Sequence, residues 1–219
     1  LLEVSEHSAE NVIVLRVKSV ENSLGQTVVN LEMIHKCRQS LCNAQVVDGV
    51  EAYVSTNNNE FSGALAEKSV EICGQFLIRS YASCDDTHAR RKMHIASCLA
   101  GLAFNSASLG LNHGMAHQLG ARFHIPHGRA NAILLPYIIE YNSEIDMHSR
   151  SRSVYAPCVR KYCNMARTLG VFNLNEITTV RALVSYIQFM NKEMNIPLSV
   201  SAIGGISEGQ YMADIEEMA

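Results

Sequence analysis

From residue 46 onward the apolar residues recur at helical spacing, and capping residues, glycines and prolines cut the pattern into segments. That periodicity predicts a mostly helical domain. Asn57-Asn58-Asn59 is a turn and N-cap signal ahead of a segment whose apolar side is Leu65, Val70, Ile72, Cys73, Phe76 and Leu77. Asp85-Asp86 opens the next helix with acids at its positive end. The later part of that helix, Ile95 to Phe104, is apolar almost all round, which predicts a helix in the middle of a bundle. Gly110 and Gly114 are expected to let a short segment approach its neighbours closely. Pro136 is expected to end or kink the helix that follows. Helices are predicted near 150–168 and 175–194, with Leu169-Gly170 as a C-cap between them. Pro197 and Gly204-Gly205 break the pattern, and a last helix is expected from about Glu208. The first 45 residues are ambiguous: Asn11 to Val20 reads as a strand, and Thr27 to His35 as a strand or short helix.

The chain has 219 residues, enough for one large domain or two small ones with a real core. Its net charge is −3 and no Lys/Arg run argues for nucleic acid or an anionic membrane as a partner. The longest apolar run, Ala132 to Ile139, is too short to span a bilayer. Seven scattered cysteines without a CxxC pair fit reduced thiols and a cytoplasmic protein.

The chemistry concentrates in HGMAHQLGARFHIPHG, residues 113 to 128, which holds four of the nine histidines. His113 and His117 are four apart, so a helix puts both rings on one face, the spacing at which two imidazoles reach one metal ion. His127 follows a break at Pro126 and would bring a third ligand from the start of the next helix; His124, in the connection, is less constrained. The competing reading is a set of hydrogen-bonded core or cleft histidines.

Residues 101 to 142, GLAFNSASLGLNHGMAHQLGARFHIPHGRANAILLPYIIEYN, closely resemble the signature region of the iron-containing (group III) alcohol dehydrogenases. The likeness is greatest to the branch with propanol, butanol and lactaldehyde dehydrogenases and the bifunctional aldehyde–alcohol dehydrogenases. EAYVSTNNNEFSGALAEKSVE, residues 51 to 71, resembles the family at the expected distance upstream. The resemblance runs from about residue 49 to 195. It implies a helical bundle of the dehydroquinate synthase-like fold over 46–219, with residues 1–45 unmatched and the family's nucleotide-binding α/β domain absent. It implies interconversion of a primary alcohol and an aldehyde, with hydride passing to NAD(P) and a divalent metal, Fe(II) or Zn(II), polarising the oxygen. Homo-oligomers are common in the family. His113 and His127 match two of the family's metal ligands. His117 matches a histidine beside the nicotinamide and substrate that is generally not a ligand, so the resemblance moves it from the metal to the reaction side.

The sequence also departs from the family. Where the family usually reads DALTHAxEAYxS, with Asp and His as ligands, this chain reads AQVVDGVEAYVS. Ala44 stands at the aspartate position and cannot bind a metal, and Asp48 stands at the histidine position. The implied set is therefore Asp48, His113 and His127. Glu51 is present in the family without serving as a ligand. No GxGxxG, GGGS-type turn or P-loop occurs. The sequence is thus expected to be a fragment of such an enzyme. The alternative is a non-catalytic remnant with an impaired metal site, and a metal hydrolase is a third, weaker reading.

Overall fold

The computed structural model describes residues 20–21, 27–28, 41–83, 85–143, 152–203, 206, 209 and 211. Two short strands, β1 (Val20–Glu21) and β2 (Thr27–Val28), pair antiparallel with Val20 opposite Val28. The rest of the strand expected from Asn11, most of Thr27 to His35, Gly204-Gly205 and nearly all of the last expected helix lie outside the described residues.

Seven helices follow among the described residues: α1 (Leu41–Val54), α2 (Glu60–Ala82), α3 (Thr87–Ala107), α4 (Leu111–Phe123), α5 (His127–Ser143), α6 (Arg152–Thr168) and α7 (Glu176–Glu193). A 3-10 turn covers Val200–Ile203. The expected caps are in place. Asn59 accepts from the backbone N–H groups of Phe61 and Ser62, completing a capping box with Ser62 at the start of α2. Asp86 caps α3 through Ala89 N–H. Gly170, at φ 74°, ends α6 in the left-handed conformation that glycine accepts at least cost.

The main core joins α1, α2, α5, α6 and α7 around Val47, Val50, Leu77, Ile133, Leu135, Met165 and Leu183. A smaller cluster ties α4 to α5 through Ala116, Leu119, Ile125, Ala130, Leu134 and Ile138. The α2–α3 pairing is the most extensive. Here the expectation for α3 fails. Its buried stripe is Ala89, Met93, Ala96, Ala100, Ala103 and Ala107, while Ile95 and Leu102 are 43% and 51% exposed. Small residues at helical spacing let α2 approach closely, close enough for Ser69 Oγ to donate to the Ala96 carbonyl at 2.8 Å. Ile95 and Leu102 are left on its outer side.

Pro136 does not end its helix: α5 runs through it to Ser143. Proline lacks the N–H that would bond the carbonyl four residues back. That carbonyl, on Ala132, accepts instead from the buried Asn191 Nδ2 of α7 at 2.7 Å. The expectation for Gly114 also fails, since a Cβ there would meet nothing within 4 Å. At Gly110 the close approach is real: a Cβ would lie 2.9 Å from Glu51 Oε1.

Candidate metal and catalytic site

Three helices build one cluster of polar side chains. α1 contributes Asp48 and Glu51, one turn apart on the same face. α4 contributes Asn112, His113 and His117, and α5 contributes His127 and Asn131. The turn between α3 and α4, with Ser108 at φ 65°, swings α4 by 107° and brings its first turn onto α1.

Glu51 is the keystone of this contact. Only 4% of it is exposed. Its Oε1 accepts the Asn112 backbone N–H at 2.9 Å, supplying the acceptor that the first turn of α4 would otherwise lack. Its Oε2 accepts from His113 Nδ1 in a very short hydrogen bond. On the other side of the same ring, His113 Nε2 lies 3.2 Å from Asp48 Oδ1. Burial disfavours the charged ring of His113. The hydrogen bonds and charges of Asp48 and Glu51 outweigh that penalty and raise its pKa to about 9. With no cation, a proton on Nε2 bridges this pair.

The three imidazoles form a triangle, with the His113 and His117 ring centroids 6.2 Å apart. The His113 and His127 ring centroids are 5.2 Å apart, and His127 and His117 are stacked at 4.9 Å with 22° between their planes. His113 is buried, His127 half-buried and His117 exposed. Burial, with the nearby His113 and His117, lowers the pKa of His127, so its neutral form is favoured. Its Nε2 faces Asn131 Nδ2 at 2.9 Å. His124 lies at the other end of α4 from His113. It is exposed, at φ 53°, and caps the C-terminus of α4 through a backbone bond to Gly120.

The residues fit a divalent cation in kind, and Asp48 and His113 fit one in spacing. Asp48 Oδ1 and His113 Nε2 are about as far apart as two ligands on one tetrahedral zinc, roughly 3.3 Å for bonds near 2.0–2.1 Å. Glu51 on the far nitrogen of His113 has the position of an outer carboxylate that would orient that ring toward a cation. The convergence is incomplete. Among the described residues no group of three His, Cys, Asp or Glu side chains is already set to hold an ion. The Nε2 of His127 is engaged with Asn131 rather than with Asp48 and His113.

Sequence reasoning missed the roles of Glu51, Asn112 and Asn131. Signals were present: Glu51 lies three residues after Asp48, Asn131 lies four after His127, and Asn131 is a polar residue within the apolar ANAILLP run. What they touch depends on how α1, α4 and α5 pack, and no local pattern carries that.

Fold and cluster together define a helical domain that gathers histidines and carboxylates from three helices at one end of the bundle. Residues 45–219 match the model of the Fe-containing alcohol dehydrogenase family, C-terminal part, and the chain belongs to that family. It is 34% identical over 200 residues to an NADPH-dependent butanol dehydrogenase of Clostridium saccharobutylicum, covering 91% of this chain and 46% of that one. It is 39% identical over 154 residues to the 1-propanol dehydrogenase PduQ of Citrobacter freundii, covering 70% and 40%. The alcohol dehydrogenase from Oenococcus oeni superposes with a TM-score of 0.70 at 30% identity, over 82% of this chain and 43% of that one. The chain thus spans about half the length of the relatives it matches. Among the described residues no single helix is long and apolar enough to cross a membrane.

Proposed function

We propose that this chain supplies the metal-binding half of an NAD(P)-dependent alcohol dehydrogenase that interconverts a small primary alcohol and its aldehyde. The observation that carries the reading is the pairing of His113 with both Asp48 and Glu51, with the His127 and His117 rings beside it. Asp48, His113 and His127 would hold the cation, Fe(II) or Zn(II), a two-histidine, one-carboxylate set suited to either. When bound, such a cation supplies Lewis acidity at the alcohol or aldehyde oxygen. Glu51 fixes the ring of His113. The exposed His117 is the group that accepts or returns the alcohol proton, since an imidazole exchanges one near neutral pH. His117 would also lie against the nicotinamide, as the family resemblance implies. The substrate class follows the butanol and propanol dehydrogenases it resembles. Cytoplasmic location and self-association complete the proposal.

Co(II) gives the direct test, because its visible absorption reports its ligands. A stoichiometric spectrum that changes on adding butanol or butyraldehyde supports the reading. A chain that retains no Co(II), Zn(II) or Fe(II) contradicts it. The second reading, a non-catalytic remnant, is favoured by Ala44 at a family ligand position and by the engagement of His127 with Asn131. It expects cation binding weakened by orders of magnitude and no response to alcohol.

A further inference from the structure

We infer that Asn131 is a positioning residue that decides which nitrogen of His127 carries the proton, and that Asn112 holds Asn131 in the orientation this requires. The assignment follows from a chain of contacts that begins at an atom of fixed character. Asn112 is fully buried. One atom of its amide faces the backbone carbonyl of Asn131 at 3.2 Å, and a carbonyl can only accept, so that atom is Nδ2. The same Nδ2 lies 2.7 Å from the side chain of Asn131, so the atom it meets there is Oδ1. Reversing the Asn112 amide would set an oxygen against two oxygens. Its own Oδ1 has no partner among the described residues, so nothing on that side favours the reversal.

With its Oδ1 committed to Asn112, Asn131 turns Nδ2 toward His127 Nε2 at 2.9 Å. An amide NH2 can only donate, so Nε2 must accept and the ring proton of neutral His127 sits on Nδ1. Asn131 is fully buried and one helical turn from His127, so the amide has little freedom to do otherwise. Asn112 is anchored in turn, because its backbone N–H donates to Glu51 Oε1. A single buried network therefore runs from the carboxylate on His113 to the amide on His127. It keeps Nε2 unprotonated, so a cation taken there would displace the Asn131 hydrogen bond but expel no proton.

This role deepens the proposed function, resting on it only in treating His127 as a cation ligand. The test is a long-range proton–nitrogen NMR correlation spectrum of the metal-free chain labelled with 15N-histidine, since the two neutral tautomers give different patterns. The His127 signals are assigned by their loss in His127→Gln. The expected wild-type pattern is a protonated Nδ1 and a bare Nε2. In Asn131→Asp the carboxylate must accept, so Nε2 should gain a proton and its signal should shift to the protonated range. In Asn112→Ala the Asn131 amide is free to turn, and the single pattern should give way to a mixture. A protonated Nε2 in the wild-type chain overturns the inference, even if neither variant folds. An unchanged His127 pattern in folded Asn131→Asp also overturns it, because that is what a merely structural asparagine would give. Co(II) retention by the wild-type chain separates this from the functional reading. A bare Nε2 in a chain that holds no Co(II) removes the metal and upholds the role of Asn131. A protonated Nε2 in a chain that does hold Co(II) does the reverse.

Discussion

Asp48 and Glu51 clasp His113 from opposite sides, and the proton they stabilise is the one a cation has to replace. Because the pKa of His113 is about 9, a cation entering at neutral pH must expel that proton. Apparent Co(II) affinity should therefore rise roughly tenfold per pH unit from neutrality and flatten above the pKa. Titrations at several pH values check this, and a pH-independent affinity would contradict it. The metal-free chain should show the opposite trend in stability. The folded pKa lies above the ordinary value of 6.5, so the stabilisation from this proton is complete below 6.5 and is lost as pH rises through about 9. The melting temperature of the metal-free protein across that window measures it. Glu51→Gln keeps the shape and removes the charge on the outer nitrogen. It should weaken Co(II) binding by roughly 10–100-fold, the usual cost of losing an outer partner of a ligating histidine. A variant that binds as tightly as the parent would show that Glu51 serves only the α4 terminus.

At the scale of elements, the caps were legible because their chemistry is local. Asn59, Asp86 and Gly170 each act within a few residues of themselves. Pro136 does not end α5, as one of the two expected outcomes had it, because its compensation is not local: the donor that meets the Ala132 carbonyl sits on α7. Asn191→Leu should leave that buried carbonyl unpartnered and destabilise the fold by about 1–3 kcal/mol. The shift of the urea midpoint measures this, and a shift near zero would mean that water or a relaxed helix replaces the amide. Helix α3 was misjudged for a related reason. Its sequence is apolar on several sides, and only the packed neighbour reveals that the alanine stripe, not Ile95 or Leu102, faces inward.

At the scale of the whole molecule, the histidine cluster was partly visible in the sequence, through the spacing of His113 and His117 and the break before His127. The family likeness added only an expectation of which of them would face a metal and which the reaction. Neither source showed that Glu51, Asn112 and Asn131 join α1, α4 and α5 into one buried polar network, because that depends on the 107° turn between α3 and α4. The 219-residue chain alone, spanning about half of its relatives, should give no alcohol-dependent reduction of NAD(P) with Fe(II) or Zn(II) added. Measurable turnover would contradict that expectation. The division of labour among the three imidazoles is the central claim, and metal content after gel filtration of three single variants tests it most directly. His113→Ala and His127→Ala should each emerge without Co(II), while His117→Ala should keep it in the parent's stoichiometry. Equal loss from His117→Ala, or full retention by either of the other two, would contradict the account.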